Sequence, residues 1–245
     1  MAFDYVLQYP CEVRKAVPEA KLVALVGYMS LAQFAVGEVQ KANPGLPMEK
    51  VLQYEVQVSQ SRPDGTVSQI PMTIGQLVEM AQSLGPYRGH CTKCPANIAD
   101  RPFGCIAKIN YPLRRESEEW LLSRLPGDAS EPNLSLLFRF LSDLEIDGRP
   151  VDAMRPRLFE LQAPLVRRWG TAPDQKQVTS SQLIHMLAFG GNIGAQQAAL
   201  YTKLLGLESV LSDPHPPSDN IEQFKTLMCA IVMSGRLNAG ISVEA

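Results

Sequence analysis

From Leu22 to Gly37 the chain runs for sixteen residues without a charged side chain. An apolar stretch of that kind must be buried over most of its surface, so the rest of the fold has to supply elements that pack on it. As a helix rising about 1.5 Å per residue it spans about 24 Å, short of a bilayer core of about 30 Å. Ser30 and Gln33 also lie inside it, so the expectation is a core helix and not a membrane span. Pro18 opens the helix at a first-turn position, and Asn43, Pro44, Gly45 and Pro47 close it after about Lys41.

The elements that flank this helix follow from periodicity and turn chemistry. Phe3 to Tyr9 alternates apolar and polar side chains as a strand does, and Pro10 ends it. Val51 to Gln60 and Thr66 to Met72 read as the arms of a β-hairpin about the turn Arg62-Pro63-Asp64-Gly65. Thr73 or a neighbour caps a short helix with Ile74, Leu77, Val78 and Ala81 on one face, which stops at Gly85-Pro86. A cysteine-bearing loop then runs to Cys105, and Ile106 to Tyr111 forms a short strand ended by Pro112.

Beyond Pro112 the pattern becomes helical. Glu116 to Leu125 has a helical look, and Leu134, Leu137, Phe138, Leu141 and Leu144 form an amphipathic stripe. Prolines punctuate Asp147 to Gly170, where Leu158 to Leu161 suggests one short strand. Thr179 and Gln182 match a capping box, Ala195 to Leu205 forms a helix stopped by Gly206, and Ile221 to Ser234 a last apolar helix. The expected fold is α+β: a mixed strand and helix part with the Cys-rich loop over 1–112, then a mainly helical part over 113–245. No linker marks that boundary, and one shared domain satisfies the same pattern.

The chemistry concentrates in the run GHCTKCPANIADRPFGC, which holds Cys91, Cys94 and Cys105 with His90 in front. Two residues between thiolates let the backbone curl so that both sulfurs reach one ion. Gly104 permits the tight turn a returning ligand needs, and Pro95 and Pro102 stiffen the loop. Three cysteines leave a tetrahedral ion one donor short. Cys11, arriving from the end of the first strand, comes ahead of His90, because adjacent side chains rarely aim at one ion; His185, His215 and Cys229 follow. Zinc is favoured over an iron–sulfur cluster, whose usual spacings are tighter than the ten residues between Cys94 and Cys105. A redox pair of Cys91 and Cys94 is the further alternative; it requires the pair at a helix N-terminus. Cys229, in FKTLMCAIVM, reads as a small apolar core residue.

No basic leader or long apolar run begins the chain, and Asp4 lies where a signal peptide carries positive charge, so the expected location is the cytoplasm. Thiols there favour metal or redox chemistry over a disulfide framework. With 45% apolar and 20% charged residues the chain has the composition of a globular protein, able to bury a core without metal. A formal net charge of −2 gives no general attraction to polyanions. Nucleic-acid binding is reduced to a minor alternative through Arg149, Arg155, Arg157, Arg167 and Arg168, which otherwise form a solvated surface with Asp147, Asp152 and Glu160.

Phe189 to Gly194 reads as a helix–helix turn in preference to a phosphate loop, lacking the lysine and hydroxyl that cradle phosphates. No H-E-x-x-H or G-x-S-x-G motif occurs, and Glu116, Glu118 and Glu119 read as first-turn acids placed for the helix dipole. The expectation for function is a soluble protein with a structural zinc site and an interaction or regulatory role, its partner another protein or a second copy. An iron–sulfur redox protein or enzyme on the same cysteines is the rival.

Overall fold

The computed structural model describes residues 2–61, 67–110, 113–128, 131–158, 162–212 and 219–244. The protein is α+β, and among the described residues helix far exceeds strand, so its sheets are small. The chain divides into two compact units, one made of residues 1–9 and 95–245, the other of residues 10–94. The second is an insertion in the sequence of the first, with prolines just past both crossing points, Pro10 and Pro95.

Strand β1 (Ala2–Leu7) opens the chain, and Phe3, Tyr5 and Leu7 on one face are all essentially buried. The insertion follows with α1 (Glu12–Ala16) and α2 (Glu19–Ala42). Next come α3 (Met48–Val51), the hairpin β2 (Glu55–Ser61) and β3 (Val67–Thr73), α4 (Ile74–Ala81), a 3-10 turn over Gln82–Tyr87 and α5 (Arg88–Cys91). Helix α2 is the apolar stretch extended by a turn at each end, 24 residues long with a mean hydropathy of 1.6 in its most apolar window. By length and composition it is the one helix among the described residues that passes for a membrane span, and only 39% of that window is buried, less than the core helix expected from the sequence. Its second half joins a core of Ala32, Ala35, Val51, Val58, Ile74 and Leu77, with no polar side chain among them. Thr73 makes the cap, and the bonding is reciprocal: its Oγ1 accepts from Gln76 N at 3.1 Å, while Thr73 N donates to Gln76 Oε1 at 2.8 Å. The hairpin turn at 62–66 lies outside the described residues.

The first unit resumes with β4 (Ile106–Asn110), α6 (Arg115–Ser123), α7 (Pro132–Ser142), β5 (Glu145–Ile146), β6 (Arg149–Pro150) and α8 (Val151–Leu158). It continues through β7 (Val166–Trp169), β8 (Lys176–Thr179), α9 (Ser180–Ile184), a π-helical turn at His185–Phe189, α10 (Ala195–Leu205), α11 (Asp219–Leu237) and β9 (Ile241–Glu244). Strand β1 lies between β4 and β9, antiparallel to both. That pairing unites the chain's beginning, middle and end, so the compact grouping follows a different line from the change in sequence character at Pro112.

Several local expectations change: Val51 ends α3, and the first hairpin arm begins only at Glu55. Leu158 ends helix α8, not a strand, and 159–161 lie outside the described residues. Pro156 sits inside α8, next to the buried Arg155.

Candidate metal centre

Four of the five predicted ligands, Cys11, His90, Cys91 and Cys94, belong to the insertion unit, and Cys105 belongs to the other. Within the insertion, Cys91 is the last residue of α5 and is buried, while Cys94 is half-buried one turn later. Cys94 N donates to Cys91 O at 3.2 Å, the backbone curl that the C-x-x-C spacing implies. Cys11 is the N-cap of α1, half-buried, with extended backbone at φ −147° and ψ 166°.

The start of α1 and the residues of α5 are electrostatic neighbours. The hydrogen bond and charge of Lys15 hold the Glu12 carboxyl below its usual value, and His90 adds a smaller pull in the same direction. The His90 ring is exposed and faces Tyr87, with ring centroids 6.5 Å apart. Cys11 thus belongs to a separate element from Cys91 and Cys94, and His90 faces Tyr87. Among the described residues no three His, Cys, Asp or Glu side chains converge as a metal-holding group. Nor does any disulfide join the cysteines there.

Cys105 stands at the entry to β4, and its carbonyl accepts from Leu7 N at 2.9 Å. The loop leading to it is tightly built. Asp100 and Phe103 hold left-handed backbone at φ 44° and 60°, and Asn97 Oδ1 accepts from Arg101 N at 3.3 Å. Gly104 is required by space: a Cβ there would lie 2.0 Å from Asn97 Oδ1 and 3.0 Å from Arg101 O. The redox alternative fares less well, since Cys91 ends a helix instead of opening one, and the residues from 92 to 104 form turns.

The remaining sequence candidates fall elsewhere. Cys229 is half-buried on α11 and lines a surface cleft instead of sitting in the core. His185 is half-buried at the end of α9; burial pushes its pKa below 6.5, and its Nδ1 has no hydrogen-bond partner among the described residues. His215 lies outside the described residues. The Phe189–Gly194 segment links two helices, and Asn192 Oδ1 is spent on Val243 N at 2.9 Å.

The arginine-rich segment is only partly a solvated surface. Arg149, Arg157 and Arg168 are exposed, but Arg155 is 1% exposed. It donates to Glu118 Oε1 at 2.6 Å, to Ser181 Oγ at 3.1 Å and to Gln162 O at 2.6 Å. Ser180 Oγ donates to the other Glu118 oxygen and accepts from Leu165 N at 3.0 Å. Arg167 donates to Leu122 O at 2.6 Å and to Pro126 O at 3.1 Å while lying over the Trp169 ring. One guanidinium, that of Arg155, is therefore committed to the interior of the unit, and the half-buried Arg167 is held by main-chain carbonyls. Glu118 is an interior ion-pair partner instead of a solvated first-turn acid, and nothing local in the sequence marks an interaction between residues 37 positions apart.

Comparisons with protein-family models, with curated proteins and with solved structures give no significant match. The chemistry of the chain's own residues therefore carries the functional argument.

Proposed function

We propose that this chain is a zinc-binding protein in which thiolates stabilise the fold and the output is an interaction with another protein or a second copy. The observation that carries this reading is the turn that folds Cys94 back on Cys91; Cys11, at the start of α1, is the donor proposed to join them. These three thiols and His90 share one unit; Cys105 is a ligand candidate on its spacing. Zinc suits thiolate donors without redox chemistry, and coordination requires deprotonated sulfur, which ties metal loading to the ordering of the segments that carry it. A reducing cytoplasm would keep such thiols available.

The interaction role draws support from the insertion's surface. Phe34 on α2 is 67% exposed, and an apolar groove of about 470 Å³ runs past Met29, Ala32, Val36, Val78 and Ala81.

Anaerobic purification followed by elemental analysis and an absorption spectrum tests the metal assignment. The expected result is a colourless protein with roughly one zinc per chain, and Cys94→Ser should lose that metal and melt earlier. Stoichiometric iron with broad visible absorption would transfer the ligands to an iron–sulfur cluster. A metal-free protein whose melting is untouched by Cys94→Ser would end both readings.

A further inference from the structure

The hairpin of β2 and β3 is a sheet by itself, and no other described strand pairs with either of its edges. An open edge presents a row of backbone donors and acceptors to any extended chain, and proteins guard such edges with proline or lysine, with a bulge or with a covering element. The two edges of this hairpin differ in that respect. In antiparallel strands, directly opposed residues alternate between pairs that exchange both backbone bonds and pairs whose N–H and C=O groups point outward. Pro71 has no N–H, so its pair with Gln57 is of the outward kind, and by alternation so are Glu55 with Thr73 and Ser59 with Gln69. Ile74 N donates to Tyr54 O at 2.9 Å, one step beyond the ladder, in the phase that this alternation requires.

The outer edge of β3 is guarded. Pro71 offers no donor there, and Thr73 N is already committed to Gln76 Oε1 at 2.8 Å, so an added strand would meet a broken row. The outer edge of β2 is not. Its outward positions are Glu55, Gln57 and Ser59, all exposed, and their outward backbone groups have no partner among the described residues. The register runs unbroken from Glu55 opposite Thr73 to Ser61 opposite Val67, so no bulge twists the edge away, and β2 contains neither proline nor lysine.

We propose that the outer edge of β2 pairs antiparallel with the same edge of a second copy of this chain. The strand is self-complementary about Gln57. A two-fold axis there sets Gln57 opposite Gln57 of the second copy and Glu55 opposite its Ser59, so every outward pair exchanges both backbone bonds and no like charges are opposed. An axis through Glu55 would instead oppose two carboxylates. The Gln57 register also brings Val56 against Val58 of the second copy, on the face that packs over Ala32, Ala35 and Leu77, and so extends that apolar layer across the join. The joined hairpins form one sheet bounded on both sides by β3, whose edge Pro71 guards, so pairing ends at the dimer. This inference rests on the interaction half of the function proposed above, naming the partner, and on none of its metal chemistry.

Sedimentation velocity of the full chain over a range of concentrations tests the pairing, and a monomer–dimer equilibrium is expected. Gln57→Pro removes an outward N–H without breaking a hairpin bond, because Pro71 already fills the same kind of position across from it. With both central bonds of the join lost, dimerisation should weaken roughly tenfold or more. Gln69→Pro, the same change on the outer edge of β3, should leave it unaltered. Amide hydrogen exchange supplies a reading that needs no variant: the Glu55, Gln57 and Ser59 amides should exchange fast at low concentration and slow as the dimer forms, while those of Val56 and Val58 stay protected throughout. A chain that is monomeric up to about 1 mM, a dimer indifferent to Gln57→Pro, or outward amides that gain no protection on dimerisation overturns the proposal. A monomer would still leave zinc binding and a different protein partner standing, since metal content is measured separately.

Discussion

The insertion unit closes on aliphatic side chains, whereas the unit that surrounds it in sequence sets an ion pair in its interior. Around α2 and α4 the core consists of Ala32, Ala35, Val51, Val58, Ile74 and Leu77. Between α6, α8 and α9 the interior holds Glu118, Arg155, Ser180 and Ser181, none more than 4% exposed. An aliphatic core loses stability in proportion to the volume removed. A buried ion pair instead fails as a unit, because removing one member leaves the other charged and without compensation.

The largest expected effect separates these behaviours. Arg155→Ala or Glu118→Ala should each cost about 3–5 kcal/mol, while Glu118→Leu combined with Arg155→Met should cost less than either single change. Denaturation followed by tryptophan fluorescence reads this directly, since Trp120 and Trp169 both belong to the unit with the ion pair. Strictly additive costs would show that the pair does not act as a unit.

Leu77→Ala comes next, at about 2–5 kcal/mol for a fully buried leucine. Amide hydrogen exchange along β2 and β3 should speed up in proportion. Unchanged protection there would remove Leu77 from the structure-determining core.

A smaller comparison uses the two capping boxes. Each threonine closes the same reciprocal pair of bonds, and replacing such a cap costs about 1 kcal/mol. Thr179 Oγ1 also donates to Asp152 Oδ1 at 2.8 Å, and Thr179 is 4% exposed. Thr179→Ala should therefore destabilise more than Thr73→Ala, and equal shifts in denaturation midpoint would show that the Asp152 bond adds nothing.

Features governed by neighbours in sequence were legible. The Thr179 capping box forms as its spacing implies, Thr73 caps α4, the hairpin arms pair, and Gly206 ends α10 in left-handed backbone at φ 62°. What escaped depends on distant partners. The alternation in β1 announces a strand but not that residues 106–110 and 241–244 flank it, and so not the insertion. Arg155 looks like any charged surface residue until Glu118 and Ser181 surround it. Cys229 has a core-like local sequence, yet it is half-buried and lines a cleft beside α11. The cysteine spacing identified the Cys91–Cys94 turn, while the assignment of Cys105 to a different compact unit has no local signature.

The smallest effect is a titration. Burial lowers the pKa of His185 in the folded chain, so the unfolded chain takes up the proton first as pH falls. Below the unfolded value of 6.5 protonation then favours unfolding, and stability declines until the folded-state pKa is reached; above that window the group contributes no slope. Because the ring is about half in solvent, the decline should be shallow. Comparing the protein with His185→Gln between about pH 7.5 and 5.5 isolates it from the carboxylates, whose titration both share. The variant should lose less stability on acidification. Identical slopes would mean that His185 titrates alike in the folded and unfolded chain, and that its buried Nδ1 gives this unit no acid sensitivity.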